Sequence, residues 1–597
     1  MALCIERIIH FFERYSLFVI IAAGMASVNQ EAGIALVIYT YAILKLIHCV
    51  RSKSVPKPSY EQLILIVACL TIATLHHFQI GSELLNYKLF NWLLLLTIPF
   101  YFIQKNCVNK KTLQLFNYLI LTLLLIEPHS ELIPQHLWLA NPNVLALLIL
   151  FIGLNIHHEH PLKWLLHQIV ILSILFMLEY TGGLILYASI RVFLSLKQPF
   201  LRKTYVATYC LAIVAFISSV DLSEWVQGNP NLRNRSNSYS LFLNYFINSQ
   251  QRLWGHGFGS TEMIADNVET GLQYPFTEIR RFKHVHNEVL QNLIEGGFFW
   301  AIVLLISFFY FFYRNIKASE LCTELIVFPI IFVVTLQIYS VYRSGILYAL
   351  LPFIALAYGL RFRSNLRNGW LKKAVFAFYL IAIPVFGTKT LIKFKAFENL
   401  RNISLENLNQ SIALDSEEPL FYYEKLRYLT QSKHFPEDTF IETKAQLDLI
   451  HPNYKEVQFL EAQEAFNRGQ YERAYRIAKN ECQKRPFNLI LESYPIFYAA
   501  FLDDATLERE LVHLFKKAVM IENARKGLGL SCLIQEQKVI ISSPTKKVVI
   551  DRQKIKKAIQ ENKGHGYPKM KHWLFLELIR KTFNKEGLKT GNPVIYL

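Results

Sequence analysis

Apolar residues in this chain gather into long runs separated by short polar turns, which is the spacing of stacked helices and not the alternation of strands. The runs lie near 8–27, 32–50, 60–79, 88–105, 113–127, 141–158, 163–180, 182–196, 203–220, 289–313, 323–342, 345–361 and 371–390. A helix needs about 20 such residues to cross the hydrocarbon core, so the pattern predicts an all-α, polytopic membrane protein of about 12–13 transmembrane helices. The three spans between 141 and 196 are short, which leaves a re-entrant segment open there.

Two stretches break the pattern. Residues 221–288 form a loop far longer than the ~12–15 residues beyond which an unstructured connection is uncommon. It is rich in large side chains, among them Trp225, Tyr239, Trp254, Phe258 and Tyr274, so it is expected to fold. Leu241, Phe242, Tyr245 and Phe246 have helical spacing and predict an amphipathic helix lying in the membrane interface. From 391 to 597 the chain turns polar and helical. Pro419, Pro452 and Pro486 recur there at tetratricopeptide spacing, with Ala462, Ala465, Gly469, Tyr471, Ala474 and Ala478 placed like the packing residues of such a helix pair. Val539 to Asp551, with Pro544 between two β-branched runs, suggests a hairpin, and Cys482 and Cys532 are candidates for pairing.

A net charge of +18 would admit nucleic acid as a partner, but its distribution excludes that reading. The basic residues sit in turns after even-numbered spans: Arg51, Lys53 and Lys57; Lys105, Lys110 and Lys111; Lys163; Lys197, Arg202 and Lys203; Arg314 and Lys317; Arg361, Arg363, Arg367, Lys372 and Lys373. Short turns after odd spans hold Lys88 and Arg343. Positive charge stays inside, so the amino terminus is expected in the cytoplasm, with the 221–288 loop and the tail outside. Glu6, Arg7, Glu13 and Arg14 at the start resemble no cleavable signal peptide.

Candidate chemistry collects where the long loop re-enters the membrane. His286 has the titration range of a general base, or with Asn287 it caps the next helix. Gly255, Gly257 and Gly259 allow backbone to approach a bulky ligand, or make a turn; no Lys-Ser/Thr follows to complete a phosphate loop. Arg233, Arg235, Arg252, Arg280, Arg281, Lys283 and Arg343 suit an anionic ligand such as a diphosphate, or anionic head groups of membrane lipid. Arg191 lies inside a span and is read as snorkelling, and the His157-His158-Glu159-His160 cluster as a solvated turn. No His/carboxylate set has metal-ligand spacing, so no metal and no cofactor is expected.

Gly255-x-Gly257-x-Gly259 followed by His286-Asn287-x-x-Leu290 and Glu295-x-Gly297 resembles the glycine run and His-Asn element of the bacterial O-antigen ligase and polymerase superfamily. Pro142-Asn143-Val144-Leu145-Ala146 and the segment Ser340 to Ala349 are similar to motifs of its protein O-oligosaccharyltransferase branch, which glycosylates pilins and other exported proteins. Val144, Tyr339, Arg343 and Gly345 depart from that branch's residues. The resemblance implies four parts: helices 1–9 over 1–220, a periplasmic loop over 221–288, helices 10–13 over 289–390 and a periplasmic helical-repeat domain over 391–597. It also implies an inner-membrane enzyme that moves a glycan from an undecaprenyl-diphosphate carrier to a hydroxyl of an acceptor protein such as pilin. His286 would be the base and Arg233, Arg235, Arg280, Arg281 and Lys283 the diphosphate ligands. Gly255, Gly257, Gly259, Asn287, Glu295, Asn143 and Arg343 would support them. The competing readings are a ligase or polymerase with a glycolipid or glycan acceptor, a transporter, and a non-catalytic assembly factor.

Overall fold

The computed structural model describes residues 2–54, 56–80, 83–103, 115, 171, 239, 242–261, 264, 285, 287–318, 351–356, 360–362, 366–431, 437–451, 454, 457–484, 491–526, 531–535, 538–542 and 547–561. The spans expected near 141–158, 182–196, 203–220 and 323–342, and nearly all of 113–127 and 163–180, lie outside these. Among the described residues the protein is mostly helical, and three helices are long and apolar enough to cross a membrane: Gln30–Ser52, Val289–Asn315 and Gly369–Arg401.

The amino-terminal half contributes α1 (Ala2–Ala26), α2 (Gln30–Ser52), α3 (Tyr60–Ile80) and α4 (Glu83–Phe102). After the long loop come α5 (Glu288–Ala318) and α6 (Gly369–Glu398). Their starts carry side-chain caps. Asn29 caps α2 and Asn368 caps α6 through side-chain oxygens, and Ser59 and Gln62 form a reciprocal capping box on α3. These helices share a core of large rings: Tyr101 stacks on Tyr379 at 4.3 Å, and Trp92 meets Trp300 edge-on at 5.4 Å. The opposite faces stay apolar. Phe298, Ile302, Leu305, Phe309 and Tyr313 leave one side of α5 exposed, as a helix facing lipid requires.

Contacts sort the helix ends into two groups. At one end, the Val28 N–H donates to Glu398 at 3.0 Å, Arg401 donates to the Ala26 carbonyl, and the Tyr87 and Thr390 hydroxyls meet at 2.8 Å. At the other, Asn315 exchanges hydrogen bonds with the Arg361 backbone and the Leu366 N–H donates to Pro58. The α1–α2 turn, the start of α4 and the close of α6 therefore share one end. The starts of α3 and α6 and the close of α5 share the other.

The tail holds α7 (Leu405–Leu414), α8 (Pro419–Gln431), α9 (Glu437–Ile450), α10 (Val457–Asn467), α11 (Tyr471–Lys484), α12 (Ser493–Ala499), α13 (Asp504–Lys526) and α14 (Arg552–Glu561). In the α10–α11 hairpin Ala462, Ala465, Ala474 and Ala478 are fully buried, which lets the two backbones close together. Gly469 at φ +75° closes α10, with its N–H on Phe466 and that of Gln470 on Ala465.

The structure corrects two expectations. The suggested hairpin is present as β2 (Lys538–Ser542) and β3 (Lys547–Asp551), but β1 (Ser531–Gln535) adds a third antiparallel strand, so the chain is not purely all-α. Val539 and Ile541 alternate inward and share a core with Ile559 of α14 and Leu511 of α13. Cys482 and Cys532 are both free; the Cys482 thiol donates to the Leu491 carbonyl at 3.1 Å, and burial pushes its pKa well up, as expected of an inert core thiol. The last membrane-half helix, α6, runs unbroken to Glu398, and Lys393 pairs with Asp415 at 2.9 Å and Glu418 at 3.5 Å, fastening the tail to it.

Candidate functional site

The site is built on a break in α5. Glycine at 296 and 297 lets the chain leave helical geometry, and Gly297 sits at φ +72°, ψ −176°. A break there orphans the Ile294 and Glu295 carbonyls and the Phe298 and Phe299 N–H groups, which would otherwise bond one another. Each is re-paired by the glycine loop. His256 N–H donates to Ile294 and Gly257 N–H to Glu295, both at 2.9 Å, while Phe298 and Phe299 donate to the Arg252 and Leu253 carbonyls at 3.0 and 3.2 Å. Irregular backbone at membrane depth is tolerated when protein satisfies it in this way.

The glycines are thereby explained. Gly255, Gly257 and Gly259 sit at φ +78°, +93° and +88°. A Cβ on Gly255 would lie 2.4 Å from the Glu295 carbonyl oxygen, one on Gly297 would lie 2.3 Å from that of Leu253, and one on Gly259 would lie 2.6 Å from the Lys88 side chain. The close approach expected of these glycines is made to the broken helix and to Lys88.

Side chains lock the arrangement. Glu295 is fully buried and accepts from Thr261 Oγ1 at 2.5 Å and Gln291 Nε2 at 3.2 Å. Trp300 donates to Asn292 at 2.9 Å and meets Phe258 edge-on at 5.5 Å. Asn287 accepts from the Leu290 N–H at 3.0 Å, which makes it the N-cap of α5. The segment 242–248 is helical, as expected, with Phe242 and Phe246 buried against Val285, Leu290 and Ile294. Its aromatic face therefore packs on protein.

Thus Gly255 and Gly257 meet Glu295 across forty residues of sequence, Asn287 caps the helix that carries Glu295, and Gly259 lies against Lys88. His286, Arg233, Arg235, Arg280, Arg281, Lys283, Asn143, Arg343 and Arg191 lie outside the described residues. The immediate neighbours of His286 are the fully buried Val285 and the cap Asn287.

No family model, curated protein or solved structure matches the chain.

Sequence reasoning missed several members of the site. Gln291 was legible, because it stands one helical turn before Glu295. Thr261 was not, since only the folded loop brings it there. His256 is a second imidazole: its Nε2 is 2.8 Å from Ser249 Oγ, and its ring lies 5.3 Å from Tyr245. Glu13 is likewise buried, salt-bridged to Lys45 at 2.5 Å and hydrogen-bonded by Tyr41 at 3.0 Å, an ion pair between α1 and α2 where few intramembrane charges were expected.

Proposed function

We propose that this chain is a polytopic inner-membrane glycosyltransferase that moves a glycan from an undecaprenyl-diphosphate carrier to a hydroxyl of an exported acceptor protein. The observation that carries the reading is the interlock of the glycine run with the Asn287–Gly297 element. The two halves of the motif that resembles the ligase and transferase superfamily are mutually hydrogen-bonded, as parts of one working site should be. His286, beside the cap of α5, takes the acceptor proton as the hydroxyl attacks the anomeric carbon. Arg233, Arg235, Arg280, Arg281 and Lys283 offset charge on the departing diphosphate. The tail, read as a short set of helical repeats, presents the acceptor.

The sorting of helix ends supports the topology behind this scheme. Gly259 lies against Lys88, and Tyr87 beside it meets α6 near Thr390, so the glycine loop and the tail junction share an end with the α1–α2 turn. Arg51, Lys53, Lys57, Arg361 and Arg367 belong to the opposite end, the one that the positive-inside rule assigns to the cytoplasm.

The test is the intact mass of exported proteins from cells carrying the wild-type chain, no chain, His286→Ala or His256→Ala at matched membrane levels. A glycan-sized increment that needs the chain and vanishes with His286→Ala supports the reading. Loss with His256→Ala alone moves the base to that residue. An increment unaffected by either change sinks the mechanism, and unchanged proteins with altered surface glycolipid favour the ligase or polymerase.

A second reading is a transporter, favoured by the broken helix and the Glu13–Lys45 pair. The break lies five residues, ~8 Å at the helical rise, from the middle of its span at residue 302. Uptake or efflux that tracks Glu295→Gln, without any glycan change, would select it.

A further inference from the structure

Where α6 leaves the membrane half, a cavity of about 340 Å³ opens between it and the α7–α8 turn, lined by Val385, Thr388, Lys389, Ile392, Lys393, Leu414 and Asp415. We propose that this cavity binds the phosphate headgroup of an anionic membrane lipid, whose hydrocarbon chain runs down the outer face of α6. The assignment is independent of the transferase reading.

Shape and polarity converge on an amphiphile. Ile381, Val385, Thr388 and Ile392 recur at helical spacing and are all exposed, forming a stripe that points from the span into the cavity. The cations stand on α6 itself, beside the stripe: the Lys389 and Lys393 ammonium groups are 5.5 and 5.4 Å from the Tyr87 ring, and the lining sets these two lysines against one carboxylate, Asp415 of the facing turn. Lys393 also serves Asp415 and Glu418, and an ammonium offers three donors. The volume suits a headgroup, being at the lower end of ordinary ligand pockets. A soluble anion would use the lysines and leave the stripe unused. A neutral lipid would use the stripe and leave the lysines unused.

The full-length chain in detergent, offered equal phosphatidylglycerol and phosphatidylcholine with the same acyl chains, should retain phosphatidylglycerol preferentially in native mass spectrometry. Lys389→Ala should lower that preference roughly fivefold, the effect of one basic side chain at an anionic surface. Thr388→Trp, at an exposed position, should fill the cavity and abolish the preference with both lysines in place. It also carries the test if Lys389→Ala fails to fold. Lys53→Ala, at the other end of the bundle, should change nothing. Equal retention of the two lipids, or a preference indifferent to both cavity variants, overturns the proposal. Inorganic phosphate binding that depends on Lys389, with no such dependence for lipid, makes this a soluble-anion site and overturns the lipid assignment.

Discussion

Gly255 and Gly297 face one another across the break in α5, and each is held by space and by backbone angle together. A methyl group at either position points at a carbonyl oxygen of the other strand, within 2.4 Å and 2.3 Å, and both residues have positive φ. Gly255→Ala or Gly297→Ala should therefore cost at least the ~1–3 kcal/mol of a strained non-glycine conformation and should loosen the loop from the helix. Gly369→Ala is the control, because nothing lies within 4 Å of a Cβ there. Thermal unfolding of the purified full-length chain checks this: a fall for the first two variants and none for the third. The need for glycine at 255, 257 and 259 was legible in the sequence, whereas the neighbour was not. A spacing of forty residues carries no sign that one backbone will fill the gap in another. Similarly, a buried Glu295 could be read from its place in an apolar helix, but its partner Thr261 could not.

At the scale of elements, the start of α5 was legible in the sequence, because a cap is a local bargain between a side chain and the next turn. Asn287 shows the value of separating it from its neighbour. As N-cap of α5 it should cost about 1 kcal/mol when changed to Ala, seen as faster amide exchange over the first turn, Glu288 to Gln291. His286→Ala should leave that exchange unchanged and remove glycan transfer, so the two substitutions divide capping from chemistry. The strand β1 was missed because Ser531-Cys532-Leu533-Ile534-Gln535 shows half-buried alternation only once β2 is beside it. Between α11, α12 and α13 lies a polar cluster that periodicity also hides: Glu510 accepts from Tyr475 at 2.7 Å and pairs with Lys479, while Glu492 pairs with Lys517 and faces His513 at 3.8 Å. Burial lowers the His513 pKa below its ordinary 6.5; Glu492 and Glu510 oppose that shift, and Lys479 and Lys517 reinforce it. The unfolded chain thus takes up the proton first, so stability should fall as pH drops below ~6.5 and be unaffected by this group above it. His513→Gln should flatten the fall of the tail's melting temperature below about pH 6.5.

For the whole molecule, two sets of contacts tie the ends of the bundle together, and they make the topology testable with two positions. The α1–α2 turn joins the close of α6 through Val28–Glu398 and Arg401–Ala26, so an even number of crossings separates the start of α2 from the end of α6. The Pro58–Leu366 and Asn315–Arg361 contacts place the basic turns at the other end. Sequence periodicity predicts the spans one by one, and charge bias predicts their direction, but neither could show which turns touch. In a Cys4→Ser, Cys532→Ser background, Leu449→Cys in α9, 79% exposed, should react, above the level of that background, with a membrane-impermeant maleimide added from the periplasmic side. Lys53→Cys, exposed just past α2, should react only after the membrane is opened. The reverse pattern would put the glycine loop and the tail in the cytoplasm, where no exported acceptor could reach them, and the transferase reading would fail with it. Labelling of both from one side would contradict the sorting of helix ends itself, because Lys53 and the tail would then share a face that the Glu398 and Pro58 contacts hold apart.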